Sequence, residues 1–176
     1  ETEGGGIGSQ ATTQIREALG QYAALVIGCG MGQEPETRQF VQELLLDNRS
    51  PMDMPLVVDA DALNTLAQVP DWHNHLKAQA VLTPHPGEMA RLLDVTVEEI
   101  QRDRVGIAQR FAQEYQLYLV LKGAVTVIAD PEGNVFLNPT GNPGMATAGM
   151  GDILTGMLGG VMAQRWPLLE AITAAV

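Results

Sequence analysis

Five short segments of this 176-residue chain carry residue types that could do chemistry. The richest runs Gly141-Asn142-Pro143-Gly144-Met145-Ala146-Thr147-Ala148-Gly149-Met150-Gly151-Asp152, ahead of an apolar, glycine-containing helix expected from Ile153 to Ala163. Small residues leave bare N–H groups at a helix start, where the dipole favours phosphate oxygens. An aspartate in that first turn repels the same phosphates unless it acts as a base on a neighbouring hydroxyl. The plainer alternative is a carboxylate stabilising its own helix dipole, although a cap needs no such run of glycines.

Asp59-Ala60-Asp61-Ala62-Leu63-Asn64 places two carboxylates and an amide at a strand end. Hard oxygen ligands suit Mg²⁺, often through water; Asp59 or Asp61 as a helix N-cap is the alternative. In Thr83-Pro84-His85-Pro86-Gly87-Glu88, two prolines fix the backbone around a histidine, and rigid placement of an imidazole suits substrate contact. A structural histidine remains the other reading. With Glu88 added, Asp59 and Asn64 are the candidate Mg²⁺ ligands, directly or through water. Lys122-Gly123-Ala124-Val125-Thr126 follows a buried run, and its lysine is either a solvent residue or a nucleotide contact beside the glycine loop.

Gly28-Cys29-Gly30-Met31-Gly32 lets the backbone approach a ligand with N–H groups aimed at an anion. It matches neither G-x-G-x-x-G nor a P-loop, so a plain tight turn competes with that reading. His73 and His75, beside Trp72, read as surface residues. Three histidines and one cysteine make a zinc site improbable on donor count. Met145, Met150 and Met157 read as ordinary packing.

The elements that must position these segments alternate. Apolar runs of strand length fall at 25–27, 56–58, 80–82, 117–121, 126–129 and 135–137, with a turn at 130–133 before the last. Helical patterns fall at 36–48, 62–66, 88–93, 97–115, 153–163 and 168–176. Unbroken apolar strands separated by helices predict a three-layer α/β fold: a mostly parallel sheet covered on both faces, with an antiparallel hairpin at one edge. Ligands in such sheets sit outside the carboxyl ends of the strands, where nearly all the segments above begin.

At 45% hydrophobic and 18% charged residues the chain can bury a core, and its length fits one domain spanning 1–176. Ten Lys+Arg against twenty-one Asp+Glu, a formal charge of -11, argue against nucleic-acid or anionic-membrane partners. A lone cysteine excludes an internal disulfide, no apolar run reaches bilayer length, and no signal peptide is visible. A cytoplasmic setting is expected. Both ends read as cut: there is no initiator Met, and the apolar helix from Leu168 stops without a cap.

Taken together, the segments from Gly28 to the helix after Asp152 resemble the ribokinase-like superfamily, and within it the ADP/ATP-dependent NAD(P)H-hydrate dehydratases. The His85 segment and the run Asn142–Gly156 are the most specific pieces. The resemblance implies phosphorylation of the 6-hydroxyl of (S)-NAD(P)H hydrate by ADP or ATP with Mg²⁺, then loss of phosphate to restore NAD(P)H. It implies Asp152 as the base on that hydroxyl and Gly149, Met150 and Gly151 around the transferring phosphate. Lys122, Gly123, Ala124, Val125, Thr126 and Asn142 would line the adenine nucleotide; His85, Gly30, Gly32 and Asp152 would meet the hydrated dinucleotide. It also implies a homo-oligomer, of which a tetramer is one form, and an epimerase domain in many longer relatives. Two readings compete: an alcohol kinase on the same scaffold, for a hydroxymethylpyrimidine or thiazole, and a non-catalytic nucleotide-binding module that has no need of Asp152.

Overall fold

A computed structural model of the chain describes residues 2, 5–47, 54–76 and 79–176. Its elements run α1 (Ala11–Leu19), β1 (Leu25–Ile27), α2 (Pro35–Leu46), β2 (Leu56–Val58), α3 (Ala60–Leu66), β3 (Ala80–Leu82), α4 (Pro86–Leu93), α5 (Val97–Arg102), α6 (Arg104–Tyr115), β4 (Tyr118–Leu121), β5 (Thr126–Ala129), β6 (Val135–Asn138), α7 (Met150–Met162) and α8 (Leu168–Ala175). The six strands lie in chain order; β1 to β4 are parallel neighbours, and β4-β5-β6 is an antiparallel meander.

Side chains alternate along a strand, so each apolar run serves two faces. Val57, Val81, Val120 and Ile128 pack with Leu158, Met162 and Ile172 of α7 and α8. Their neighbours Leu56, Val58, Leu82, Leu119 and Leu121 face the other way, against Phe40, Leu63, Met89, Ile100 and Phe111. Both faces are therefore covered, which is why these strands carry no polar alternation. The three-layer α/β reading holds, including the antiparallel edge.

Several boundaries differ from the sequence reading, each for a local reason. The helix expected over 97–115 is two, because Asp103 leaves the helical region (φ -144°, ψ 60°) and its Oδ1 accepts from Gly106 N–H at 2.9 Å, capping α6. The helix expected over 36–48 starts at Pro35 and ends at Leu46, because Asp47 is extended (φ -74°, ψ 111°); Asn48 lies outside the described residues. α7 starts at Met150 and ends at Met162, earlier than expected at both ends. α4 starts at Pro86, where proline's fixed φ suits the first helical position. The amphipathic segment Ala11–Leu19 carries too narrow a stripe (Ala11, Ile15, Leu19) to stand out as a helix. Met145 and Met157 are about half exposed and so do not pack in the core as expected. His73 is not a free surface residue either: its ring stacks on Tyr115 with centroids 4.3 Å apart. Among the described residues no helix is long and apolar enough to cross a membrane.

Candidate active site

Parallel order brings the carboxyl ends of β1 to β4 to one edge, and with them Gly28, Asp59, Thr83 and Lys122. The contacts there are close. Gly28 lies at φ +124°, and a Cβ on it would fall 1.8 Å from the Asp59 carbonyl oxygen. Only glycine fits that approach. Ala60, the next residue after Asp59, is held in the left-handed region at φ +48°, a conformation that L-residues adopt at a cost of ~1–3 kcal/mol.

Asp59 and Glu88 are buried carboxylates on either side of Lys122. Lys122 Nζ donates to Asp59 Oδ1 at 2.6 Å and lies 3.8 Å from Glu88 Oε2. Glu88 Oε2 also accepts from the His85 N–H at 2.8 Å, while His85 Nδ1 accepts from Gly87 N–H and Glu88 N–H at 3.0 and 3.3 Å. This is a reciprocal cap on α4, with histidine in the place that serine or threonine ordinarily takes. The His85 side chain is half exposed, with Nε2 3.4 Å from Glu88 Oε1.

Gly149, at φ +89°, precedes α7, and no side chain caps that helix. The loop from 139 to 149 is exposed throughout. Gly151 closes the approach to the charged cluster: a Cβ there would lie 3.4 Å from Asp59 Oδ2 and 3.5 Å from Lys122 Nζ. Asp152 follows it, exposed. Its carbonyl accepts from Thr155 Oγ1 at 2.9 Å, and that hydroxyl lies 3.3 Å from Cys29 Sγ. Burial pushes the Cys29 thiol above its ordinary pKa; the Thr155 contact opposes this, and a hydrogen bond to Asp152 with the charges of Asp59 and Asp152 adds to it. Thus residues 29, 59, 88, 122, 151, 152 and 155 form one neighbourhood, open to solvent on the side of the glycine loop. A cavity of about 860 Å³, lined by Tyr22, Tyr118 and Trp166 among others, lies at the amino ends of the strands, away from this neighbourhood.

The geometry revises several sequence expectations. Lys122 is not a solvent lysine. The Gly32 N–H is spent on Asp61 Oδ2 at 2.8 Å, and Gln33 Nε2 also reaches Asp61 O at 2.7 Å, so Asp61 ties down the glycine turn and neither caps α3 nor offers itself to a metal. The Gly30 backbone is exposed at φ +64°. Of the three candidate Mg²⁺ ligands, Asp59 and Glu88 meet at Lys122, with Glu88 also engaged by His85, whereas Asn64 Oδ1 accepts from Arg91 at 3.1 Å. Among the described residues no cluster of three His, Cys, Asp or Glu side chains could hold a metal ion. What remains is Asp59 Oδ2, one carboxylate oxygen beside Gly151. That fits a Mg²⁺ that keeps its waters and leans on ligand phosphates, not a protein cage. Gly123, Ala124 and Val125 are exposed, Thr126 is half-buried, and Asn142 Oδ1 accepts from Gly144 N–H at 2.9 Å.

The NAD(P)H-hydrate dehydratase family model, of carbohydrate-kinase type, matches residues 6–176. The chain belongs to this family. It is 49% identical over 164 residues to the bifunctional NAD(P)H-hydrate repair enzyme of Moorella thermoacetica, covering 93% of this chain and 30% of that protein. The ADP/ATP-dependent NAD(P)H-hydrate dehydratase of Bacillus subtilis, co-crystallised with ATP/Mg²⁺, superposes with a TM-score of 0.73 at 38% identity, over 87% of this chain and 52% of that one. A ribokinase-like superfamily protein from Enterococcus faecalis superposes with a TM-score of 0.80 at 30% identity, over 96% and 57%. The fold is therefore ribokinase-like, and family membership favours the dehydratase over the alcohol-kinase reading. The chain spans between about a third and somewhat over half of these relatives' lengths.

Three residues in or beside this candidate site escape a reading by motif. Thr155 shows only as a hydroxyl three residues past Asp152, one helical turn on. Cys29 is a single residue among glycines. Arg104 gives no local signal at all, yet its Nη2 donates to the carbonyls of Leu121 and Lys122, both at 3.1 Å, and anchors the strand end that carries Lys122.

Proposed function

We propose that this site dehydrates (S)-NAD(P)H hydrate with ADP or ATP as phosphoryl donor, by phosphorylating the 6-hydroxyl and then releasing phosphate to restore NAD(P)H. The observation that carries the reading is Asp152 at the uncapped start of α7, one residue from the Gly151 backbone that faces Lys122 and Asp59. Phosphoryl transfer needs placement and charge stabilisation more than covalent help from the protein. The amides of Gly149 and Gly151 supply the stabilisation in an anion hole, where helix-terminal N–H groups are already oriented, while the Met150 N–H between them donates to Thr147 O at 3.3 Å. Asp152 takes the proton of the attacking hydroxyl as the new O–P bond forms and the donor's terminal P–O bond breaks, releasing AMP from ADP or ADP from ATP. Lys122 to Thr126, with Asn142, Met150 and Gly151, hold the nucleotide; the half-exposed His85 side chain and the turn carrying Gly30 and Gly32 meet the dinucleotide.

Mg²⁺, carried in with the phosphates, would neutralise charge on the donor, with Asp59 Oδ2 reaching it through water. A cytoplasmic setting, self-association into a homo-oligomer such as a tetramer, and an epimerase domain elsewhere in a longer protein belong to the same proposal. The bifunctional name of the Moorella relative supports the last of these.

The test is the return of NADH absorbance from (S)-NADH hydrate with Mg²⁺ and either nucleotide. A donor-dependent rise is expected. Donor consumption without it would replace the dehydratase with an alcohol kinase. Asp152→Asn should keep nucleotide affinity within about twofold while turnover falls ~10²–10⁴-fold, the usual worth of a general base. Full activity in that variant would remove Asp152 from the chemistry.

A further inference from the structure

Lys122 stands between two carboxylates that face different parts of the site. Asp59 Oδ1, at 2.6 Å, holds the ammonium on the side of Gly151, where a Cβ would lie 3.5 Å from Nζ. Glu88 Oε2, at 3.8 Å, lies on the side of His85 and already accepts from the His85 N–H. A lysine ammonium is a compact charge on a flexible four-carbon stem with no directional fork, so its partners set its position. Asp59 is the stronger partner by distance, and at 1% exposure at the end of β2 it cannot follow a ligand. Lys122 keeps 20% of its side chain exposed and can lean toward one without leaving its partner.

We propose that Asp59 is a positioning residue for Lys122: it fixes the ammonium beside the first turn of α7, where nucleotide phosphates meet it. Without that carboxylate the ammonium moves to Glu88, away from Gly151, and the nucleotide loses its cation. This rests on the reading of Lys122 and Gly151 as nucleotide contacts. It differs from a metal-ligand role for Asp59, because the effect passes through Lys122 and needs no Mg²⁺.

The experiment titrates ADP, with and without Mg²⁺, into the wild-type protein and into Asp59→Asn, Lys122→Met and the double variant, with NADH as a probe of the dinucleotide side. Asp59→Asn should weaken ADP about tenfold or more, in both the presence and absence of Mg²⁺, and should change NADH affinity less than twofold. The double variant should bind ADP within twofold of Lys122→Met alone, because residues acting through one another are not additive. It also removes both members of the 2.6 Å pair together, so Asp59 is not left as a bare buried charge if Lys122→Met alone is unstable, and Glu88 keeps its hydrogen bond from the His85 N–H. Several results overturn the inference: unchanged ADP affinity in Asp59→Asn, a loss seen only with Mg²⁺, equal losses for ADP and NADH, or additive losses in the double variant. Unchanged ADP affinity in Lys122→Met would instead bring down the nucleotide-site reading beneath it.

Discussion

Gly28→Ala tests whether the close approach of β1 to the Asp59 backbone holds the site together. A Cβ at Gly28 would sit 1.8 Å from Asp59 O, whereas real Cβ contacts essentially never fall below 3.0 Å, so about 1.2 Å (3.0 less 1.8) must open. The Asp59 carbonyl accepts from Ala62 N–H at 3.1 Å and Leu63 N–H at 3.4 Å, so the shift disturbs the start of α3. It also displaces the residue whose side chain holds Lys122. A φ of +124° adds strain of ~1–3 kcal/mol for a non-glycine residue, and forced backbone movement another ~1–3 kcal/mol. Together these make about 2–6 kcal/mol, a large share of the ~5–15 kcal/mol that holds a typical domain folded. Gly30→Ala is the control: φ is +64° there, but nothing lies within 4 Å of the added Cβ, so strain alone acts, at ~1–2 kcal/mol. Urea unfolding of both variants reads the difference. The account of β1 and Asp59 is refuted if Gly28→Ala costs no more than Gly30→Ala.

Cys29 should alkylate slowly with iodoacetamide at pH 8 compared with a free cysteine, since burial first, and then Asp152 and Asp59, hold its thiol above the ordinary pKa. Asp152→Asn removes one charge from that set and should speed the reaction; an equal or slower rate would show that Asp152 does not bear on the thiol. Glu99 accepts from Thr96 N–H at 2.8 Å and from the Thr96 hydroxyl at 2.9 Å, which lowers its pKa below the ordinary 4.5. The stability linked to that carboxylate is fully present above pH 4.5 and disappears as the pH falls through the lowered value. Thr96→Val should therefore move the Glu99 titration back up in carboxyl NMR, and an unmoved titration would contradict the cap.

Fold class was legible because it rests on local pattern. Apolar three-residue runs such as Leu56-Val57-Val58 are buried on both faces and carry no polar alternation, which marks parallel strands. Segments of the candidate site stood out where glycine, proline and acid cluster, around His85 and Asp152, whose roles belong to the proposal. What stayed hidden were partnerships across the sheet. Lys122 pairs with Asp59 across 63 positions, Cys29 meets Thr155 across 126, and Asn64 turns to Arg91 instead of toward a metal. Each of these residues has an ordinary local environment in the sequence, and spacing along a chain carries no information about which strand ends become neighbours. His85 shows a second limit. Its flanking prolines signalled a rigid imidazole, but not that one ring nitrogen would replace a hydroxyl as the cap of α4.

The charge at the site sharpens the question of how phosphate binds at all. The formal charge of -11 is spread over the chain and screened by salt, but Asp59, Glu88 and Asp152 stand together, with Lys122 paired to the first two and Arg104 spent on the carbonyls of Leu121 and Lys122. The three carboxylates would repel a phosphate group, so the proposed binding draws on groups without a formal charge. The uncapped start of α7 provides them, because its amides are oriented before any ligand arrives and need no counter-charge. The ammonium then has a narrow task. Held by Asp59 it neutralises one carboxylate next to the amides, and drawn to Glu88 it would leave that carboxylate bare beside Gly151. On the proposed function, the position of one lysine thus decides whether the glycine loop presents an anion hole or a like charge to the nucleotide.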